Sequence, residues 1–179
     1  YSDGTVGAAG NSVTVTDQAS AAVVYGGYGK STSVAGNSVI YDSTAENQTG
    51  MKIYGGYSRD GNVGQEDSVT LGENTYEGSN TVSVTGSGTF ANVTGGYSGN
   101  GNVVNNEVTI GGTNGVVVQA AYGGYTESGT VSDNTINIED GSVTNGYGGF
   151  SNAGDVTGNT VNMTGGSVTG MLYGGYTAK

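Results

Sequence analysis

Six aromatic residues stand directly after a glycine doublet: Tyr28, Tyr57, Tyr97, Tyr125, Phe150 and Tyr176. Tyrosine joins an apolar ring to a polar tip, so a row of them suits binding to sugar faces or to protein rather than bond-breaking chemistry. A second aromatic set precedes the same doublets at Tyr25, Tyr54, Tyr122, Tyr147 and Tyr173, with Thr94 interrupting it. The two members of each pair are three positions apart. On a regular strand, one column then points inward and the other outward.

A further set is polar. Asn11, Asn37, Asn80, Asn106, Asn134 and Asn159 each open a short run with alternating apolar residues, such as Asn106-Glu107-Val108-Thr109-Ile110. Asparagine neither titrates nor activates a nucleophile, which makes this column structural. Two roles fit it: a turn residue that tolerates the left-handed region, or a buried stack in which each amide donates to the next.

Catalysis has little to work with. The chain has no His and no Cys, which removes the commonest general base and the usual transition-metal ligands. Carboxylates alone serve glycosidases and lyases, but Asp3, Asp60, Glu127 and Asp155 fall singly after the doublets, and only Lys30, Lys52, Arg59 and Lys179 are basic. The residues therefore point to no catalytic group, no metal site and no cofactor. With 15 acids against 4 bases the net charge is -11, which argues against nucleic acid or anionic lipid as a partner. Such acidity keeps an extended β-surface soluble.

The elements that position these residues follow from the spacing. The leading glycines Gly26, Gly55, Gly95, Gly123, Gly148 and Gly174 are separated by 29, 40, 28, 25 and 26 residues. A period of this size marks a stacked array. The units run approximately 2–28, 29–57, 58–97, 98–125, 126–150 and 151–176. Each holds about three short alternating segments and no helical periodicity. The 37 glycines alone would fit a disordered linker, but the absence of Pro and the wealth of Val, Ile, Thr and Tyr favour strands.

One unit cannot bury its own inward face. Stacking one unit per coil converts the Val and Ile positions into internal ladders, paired in parallel at about 4.8 Å. The expected fold is all-β: a single-stranded, right-handed parallel β-helix (β-solenoid) of about six coils over residues 1–179. A propeller needs blades of about 40 residues or more, a length that only the step from Gly55 to Gly95 reaches. That long step carries roughly a dozen extra residues between Gln65 and Glu77, among them Glu66, Asp67, Glu73 and Tyr76, expected as a loop off the column. No apolar stretch approaches the roughly 18 residues of a membrane-spanning helix. Tyr1-Ser2-Asp3-Gly4-Thr5-Val6 repeats the segment that follows each doublet, so the chain reads as an excerpt of a longer array.

The recurring elements are Tyr-Gly-Gly-Tyr-Ser at 54–58, Gly-Asn-Val at 61–63 and 101–103, Asn-Thr-Val at 80–82 and 159–161, and Gly-Gly-Ser-Val-Thr-Gly at 165–170. Together they resemble passenger segments of type V (autotransporter) surface proteins of Gram-negative bacteria. The likeness is clearest from Asn152 to Tyr176 and covers essentially the whole chain. It implies an extracellular β-helix, anchored at the outer membrane in the full-length protein. It also implies adhesion to a glycan or protein of a host surface or neighbouring cell, with lateral or end-to-end self-association as a further mode. The expected function is a non-enzymatic adhesin or stalk segment. A β-helical carbohydrate-active enzyme or polysaccharide-binding fibre is the first alternative, and a pure spacer the second.

Overall fold

The computed structural model describes residues 6–45, 48–65, 67–71, 73–112 and 115–179. Among these residues the regular structure is strand, and the strands stack coil upon coil into three parallel sheets. The widest carries the glycine doublets and runs Val23–Gly29, Thr49–Ser58, Gly88–Ser98, Val116–Thr126, Ser142–Ser151 and Leu172–Thr177. The second follows the asparagines: Ser12–Asp17, Ser38–Ser43, Thr81–Val84, Glu107–Ile110, Thr135–Ile138 and Thr160–Met163. The third is narrow, joining Val103–Val104, Val131–Ser132 and Val156–Thr157, and bridges through Val63 to Val34. The chain is a β-solenoid of about six turns, as the repeat requires.

Alternation puts the branched residues inside. In the asparagine-led sheet Val108, Ile110, Ile136 and Ile138 are fully buried, and Glu107 beside Val108 in the same strand faces out. Across the interior they meet Val93, Phe90, Val118 and Val143 of the doublet sheet in one apolar cluster. A second, smaller ladder of Val34, Val63, Val103 and Val131 lines the narrow sheet. Each such side chain contributes roughly 1.5–3 kcal/mol on burial, and it does so only because the coil above and the coil below cover it.

The corner before the asparagine-led sheet is a left-handed turn, but the asparagine column does not make it. In five of the six coils the residue before it does: Gly10, Gly36, Asn105, Asp133 and Gly158 have φ of 70, 68, 55, 58 and 66°, and Ser79 before Asn80 is the exception. Glycine, asparagine and aspartate tolerate that region at low cost, which explains their recurrence at this position.

The long third unit leaves the column at Gln65 and returns at Gly78, where the Gln65 amide donates to the Gly78 carbonyl at 3.1 Å. Between them Val69–Leu71 and Asn74–Tyr76 pair antiparallel. The expected loop is thus a small hairpin, and it folds back so that Tyr76 covers the corner glycines Gly10 and Gly36 of the first two coils. Glu66 lies outside the described residues. No helix among the described residues is long and apolar enough to cross a membrane.

A candidate binding surface on the glycine-doublet face

The floor of this face is the asparagine ladder. The side-chain amide of Asn11 donates to Asn37 Oδ1 at 2.7 Å, Asn37 to Asn80 at 2.9 Å, and Asn80 to Asn106 at 2.7 Å. Asn106 donates to Asn134 and Asn134 to Asn159, both at 2.9 Å. Each Oδ1 also accepts the backbone N–H of the asparagine one coil before it. The second amide proton goes to carbonyls of the valine ladder, as from Asn106 Nδ2 to Val63 O at 3.1 Å. Asn37, Asn80, Asn106 and Asn134 are essentially inaccessible, so this stack satisfies polar groups that water cannot reach. Of the two structural roles open to the column, the buried stack is the one adopted.

The glycine doublets exist to fit over that ladder. A Cβ on the second glycine would collide with the asparagine amide beneath it: 2.7 Å at Gly56 over Asn80, 2.5 Å at Gly96 over Asn106. A Cβ on the first glycine would strike the next coil's backbone, at 2.6 Å from Gly95 O for Gly55 and 2.5 Å from Gly123 O for Gly95. Two adjacent residues therefore turn inward, and the register ladder passes over the first of them in every coil.

This break in alternation overturns the expectation that one aromatic column points in. Both columns face outward and lie against each other. Tyr25 meets Tyr28 edge-on at 5.5 Å, and Tyr122 meets Tyr125 at 5.2 Å. The column after the doublet is continuous. Tyr28, Tyr57, Tyr97, Tyr125, Phe150 and Tyr176 stack with centroids 4.7–5.2 Å apart and rings within 4–19° of parallel. The column before it stacks as Tyr25 on Tyr54 at 5.2 Å, then Tyr122 on Tyr147 at 5.1 Å and Tyr147 on Tyr173 at 5.4 Å. Thr94 lies in register between Tyr54 and Tyr122, so the stack has one ring missing.

The missing ring leaves a notch of about 250 Å³. Tyr54 and Tyr122 form its walls, Thr94 and Asn92 its floor, and Tyr97 with Tyr125 one side. Glu127 stands at its edge, accepting from Tyr125 Oη at 2.9 Å and Tyr97 Oη at 3.3 Å. Asn152 Nδ2 donates to the other Glu127 oxygen. Burial, with the neighbouring Tyr25 adding to it, pushes the Tyr54 phenol up to about 12. Burial and the bond to Glu127 push Tyr125 up to about 12 as well, and burial followed by the charge of Glu127 raises Tyr97. These phenols are neutral hydrogen-bonding groups across the physiological range.

Sequence reasoning passed over one further column. Ser58, Ser98, Thr126 and Ser151 follow the doublets and are buried. Each hydroxyl accepts an N–H three residues on and donates to a carbonyl of the coil before, as Ser98 does with Gly101 N and Gly61 O, both at 2.8 Å. Their recurrence directly after the second aromatic, broken only by Gly29, was the available signal. Thr94 and Asn92 were also missed as site residues, because a gap in a column becomes a space only when its neighbours are stacked.

The acidic residues considered for catalysis do not converge. Asp60 pairs with Arg59 at 3.0 Å and accepts from Asn100 at 2.7 Å, contacts that hold its carboxyl below the usual range, Asn100 first. Asp155 pairs with Lys179, Glu127 serves the tyrosines, and Asp3 lies outside the described residues. Among the described residues no group of three or more acids is placed to hold a metal ion. Comparison with protein-family models, curated proteins and solved structures finds no match.

Proposed function

We propose that this chain is a non-enzymatic segment of a bacterial surface adhesin or stalk, a rigid β-helix that holds a binding face away from the cell. The observation that carries this reading is the continuous outward column from Tyr28 to Tyr176, six half-exposed rings at the coil spacing on one face. Aromatic faces bearing polar tips bind sugar rings and protein surfaces at low entropic cost, because the stack already fixes each side chain. The resemblance of the repeats to autotransporter passengers supports the same reading. On this reading the segment lies outside the cell, anchored at the outer membrane by another part of the full-length protein. The partner is a glycan or protein of a host surface or a neighbouring cell.

The test is an array of glycans and extracellular-matrix proteins probed with the wild-type chain and with Tyr28→Ala, Tyr57→Ala and Tyr97→Ala. Binding that falls in at least one variant, with unfolding midpoints kept close to wild type, supports the proposal. Binding retained in all three removes the aromatic column from it. No capture of any kind favours the spacer, and cleavage of an arrayed polysaccharide favours the enzyme.

A further inference from the structure

We propose that the notch over Thr94 is a binding slot for a single neutral pyranose ring, held between the faces of Tyr54 and Tyr122. This rests on the reading of the doublet face as a binding surface and names the site and ligand class within it.

The geometry comes from an absence in an otherwise regular column. Thr94 is paired in register with Tyr54 on one side and Tyr122 on the other. Neighbouring rings of the same column stand 5.1–5.4 Å apart, so the two walls are two coil steps from each other. Two steps of the strand spacing make about 9.6 Å, and carbon atoms in contact lie about 3.5–4.0 Å apart. The space therefore takes one ring between two aromatic faces, and a puckered saturated ring uses the extra depth. Both walls are held from behind: Tyr54 by Tyr25 and Tyr57, Tyr122 by Tyr147 and Tyr125. The slot is preformed.

The polar groups choose among ring-shaped guests. Thr94 lines the notch and is covered except at its hydroxyl, which makes no hydrogen bond among the described residues and meets solvent in the notch. A guest that displaces water from this hydroxyl must offer a hydrogen bond in its place or lose affinity. Asn92 adds an amide on the same floor, and Glu127 adds an acceptor at the edge. An aromatic side chain from a partner protein fills the volume but leaves the Thr94 hydroxyl unmatched. A pyranose presents apolar C–H faces to the two rings and hydroxyls to Thr94, Asn92 and Glu127. The carboxylate and the net charge of -11 disfavour anionic sugars.

The fold itself supplies the control, because the other five coils carry tyrosine at the Thr94 position. Thr94→Tyr completes the column and fills the slot while keeping the fold. Thr94→Val leaves the slot open and removes only its hydroxyl. The probes are neutral methyl glycosides of glucose, galactose, mannose and N-acetylglucosamine, with N-acetylneuraminate and N-acetyltyrosinamide alongside. Saturation-transfer NMR and tyrosine fluorescence read the binding.

At least one neutral glycoside is expected to bind saturably. Thr94→Tyr should weaken it roughly tenfold or more, and Thr94→Val should weaken it by a smaller factor. Three results overturn the slot: no saturable binding of any neutral glycoside, undiminished binding by Thr94→Tyr, or N-acetyltyrosinamide binding more tightly than every glycoside and equally well to Thr94→Val. The two proposals separate on the array. If the slot fails while wild-type capture is still lost in Tyr28→Ala or Tyr57→Ala, the surface reading stands without it.

Discussion

Gly96 and Asn106 share one space: a Cβ on the glycine would stand 2.5 Å from the asparagine's side-chain nitrogen. The aromatic-glycine-glycine motif and the asparagine motif are thus two halves of one device. The doublet has no side chains because the amide ladder passes directly beneath it. Gly96→Ala is expected to destabilise by about 1–3 kcal/mol through overpacking. Gly111→Ala is the control. Its added methyl would meet Glu139 at an ordinary 3.4 Å, so that variant should be neutral or slightly stabilising. Denaturant unfolding of the two variants decides the point, and equal losses would contradict it.

Removing a rung of the ladder costs more than removing its end. Asn106→Ala strips the acceptor from both the side-chain and backbone N–H of Asn80, and frees the carbonyls of Val63 and Val104. An expected loss of about 2–4 kcal/mol follows from these unpaired buried groups. Asn159→Ala, at a half-buried position that water reaches, should cost clearly less. Hydrogen exchange of the flanking amides provides a second readout, with protection lost first in the coils on either side of the substitution.

One buried phenol works against stability. Tyr41 is fully inaccessible, its ring edge-on to Phe90 at 5.1 Å, and among the described residues its hydroxyl has no hydrogen-bond partner. Tyr41→Phe keeps the ring contact and removes the unmatched group, so it should stabilise by about 1 kcal/mol. A raised thermal midpoint confirms this, and a lowered one means that the hydroxyl is satisfied in solution.

Alkaline stability should fall early. Tyr54 and Tyr125 are raised from an ordinary 10.0 to about 12 in the fold, mainly by burial. Between these values the unfolded chain has released protons that the folded chain still holds, so the unfolded state binds fewer protons and stability declines as pH rises. The stabilisation is complete below about pH 10 and disappears through about pH 12. Unfolding followed across that window should show the decline, together with late phenolate absorbance. Tyr54→Phe should flatten part of it.

The repeat, the three strands per coil and the asparagine stack were legible because each leaves a periodic mark on the chain. What was hidden depended on contacts between coils. Counting along the strand from Tyr25 to Tyr28 predicts opposite faces, but Gly26 and Gly27 both turn inward and reset the alternation. The asparagine column looked suited to a left-handed turn, yet the preceding Gly36, Asn105 or Asp133 takes that conformation while the asparagine serves the interior. The extra residues of the third unit read as a loop, and nothing local foretold that Tyr76 would reach back over Gly10. Thr94 looked like a lapse in a pattern. Only the stacked Tyr54 and Tyr122 turn it into a space.

The amide ladder also determines how the molecule would behave under tension. Apart from Tyr76 reaching back over Gly10, each coil is fastened to its immediate neighbours, and each fastening repeats the one before. A pull along the axis would therefore load the outermost turn first and release the turns in sequence. Each turn of 25 to 29 residues so released pays out about 90 Å of slack chain, so a tether built this way lengthens by steps under shear instead of letting go at once.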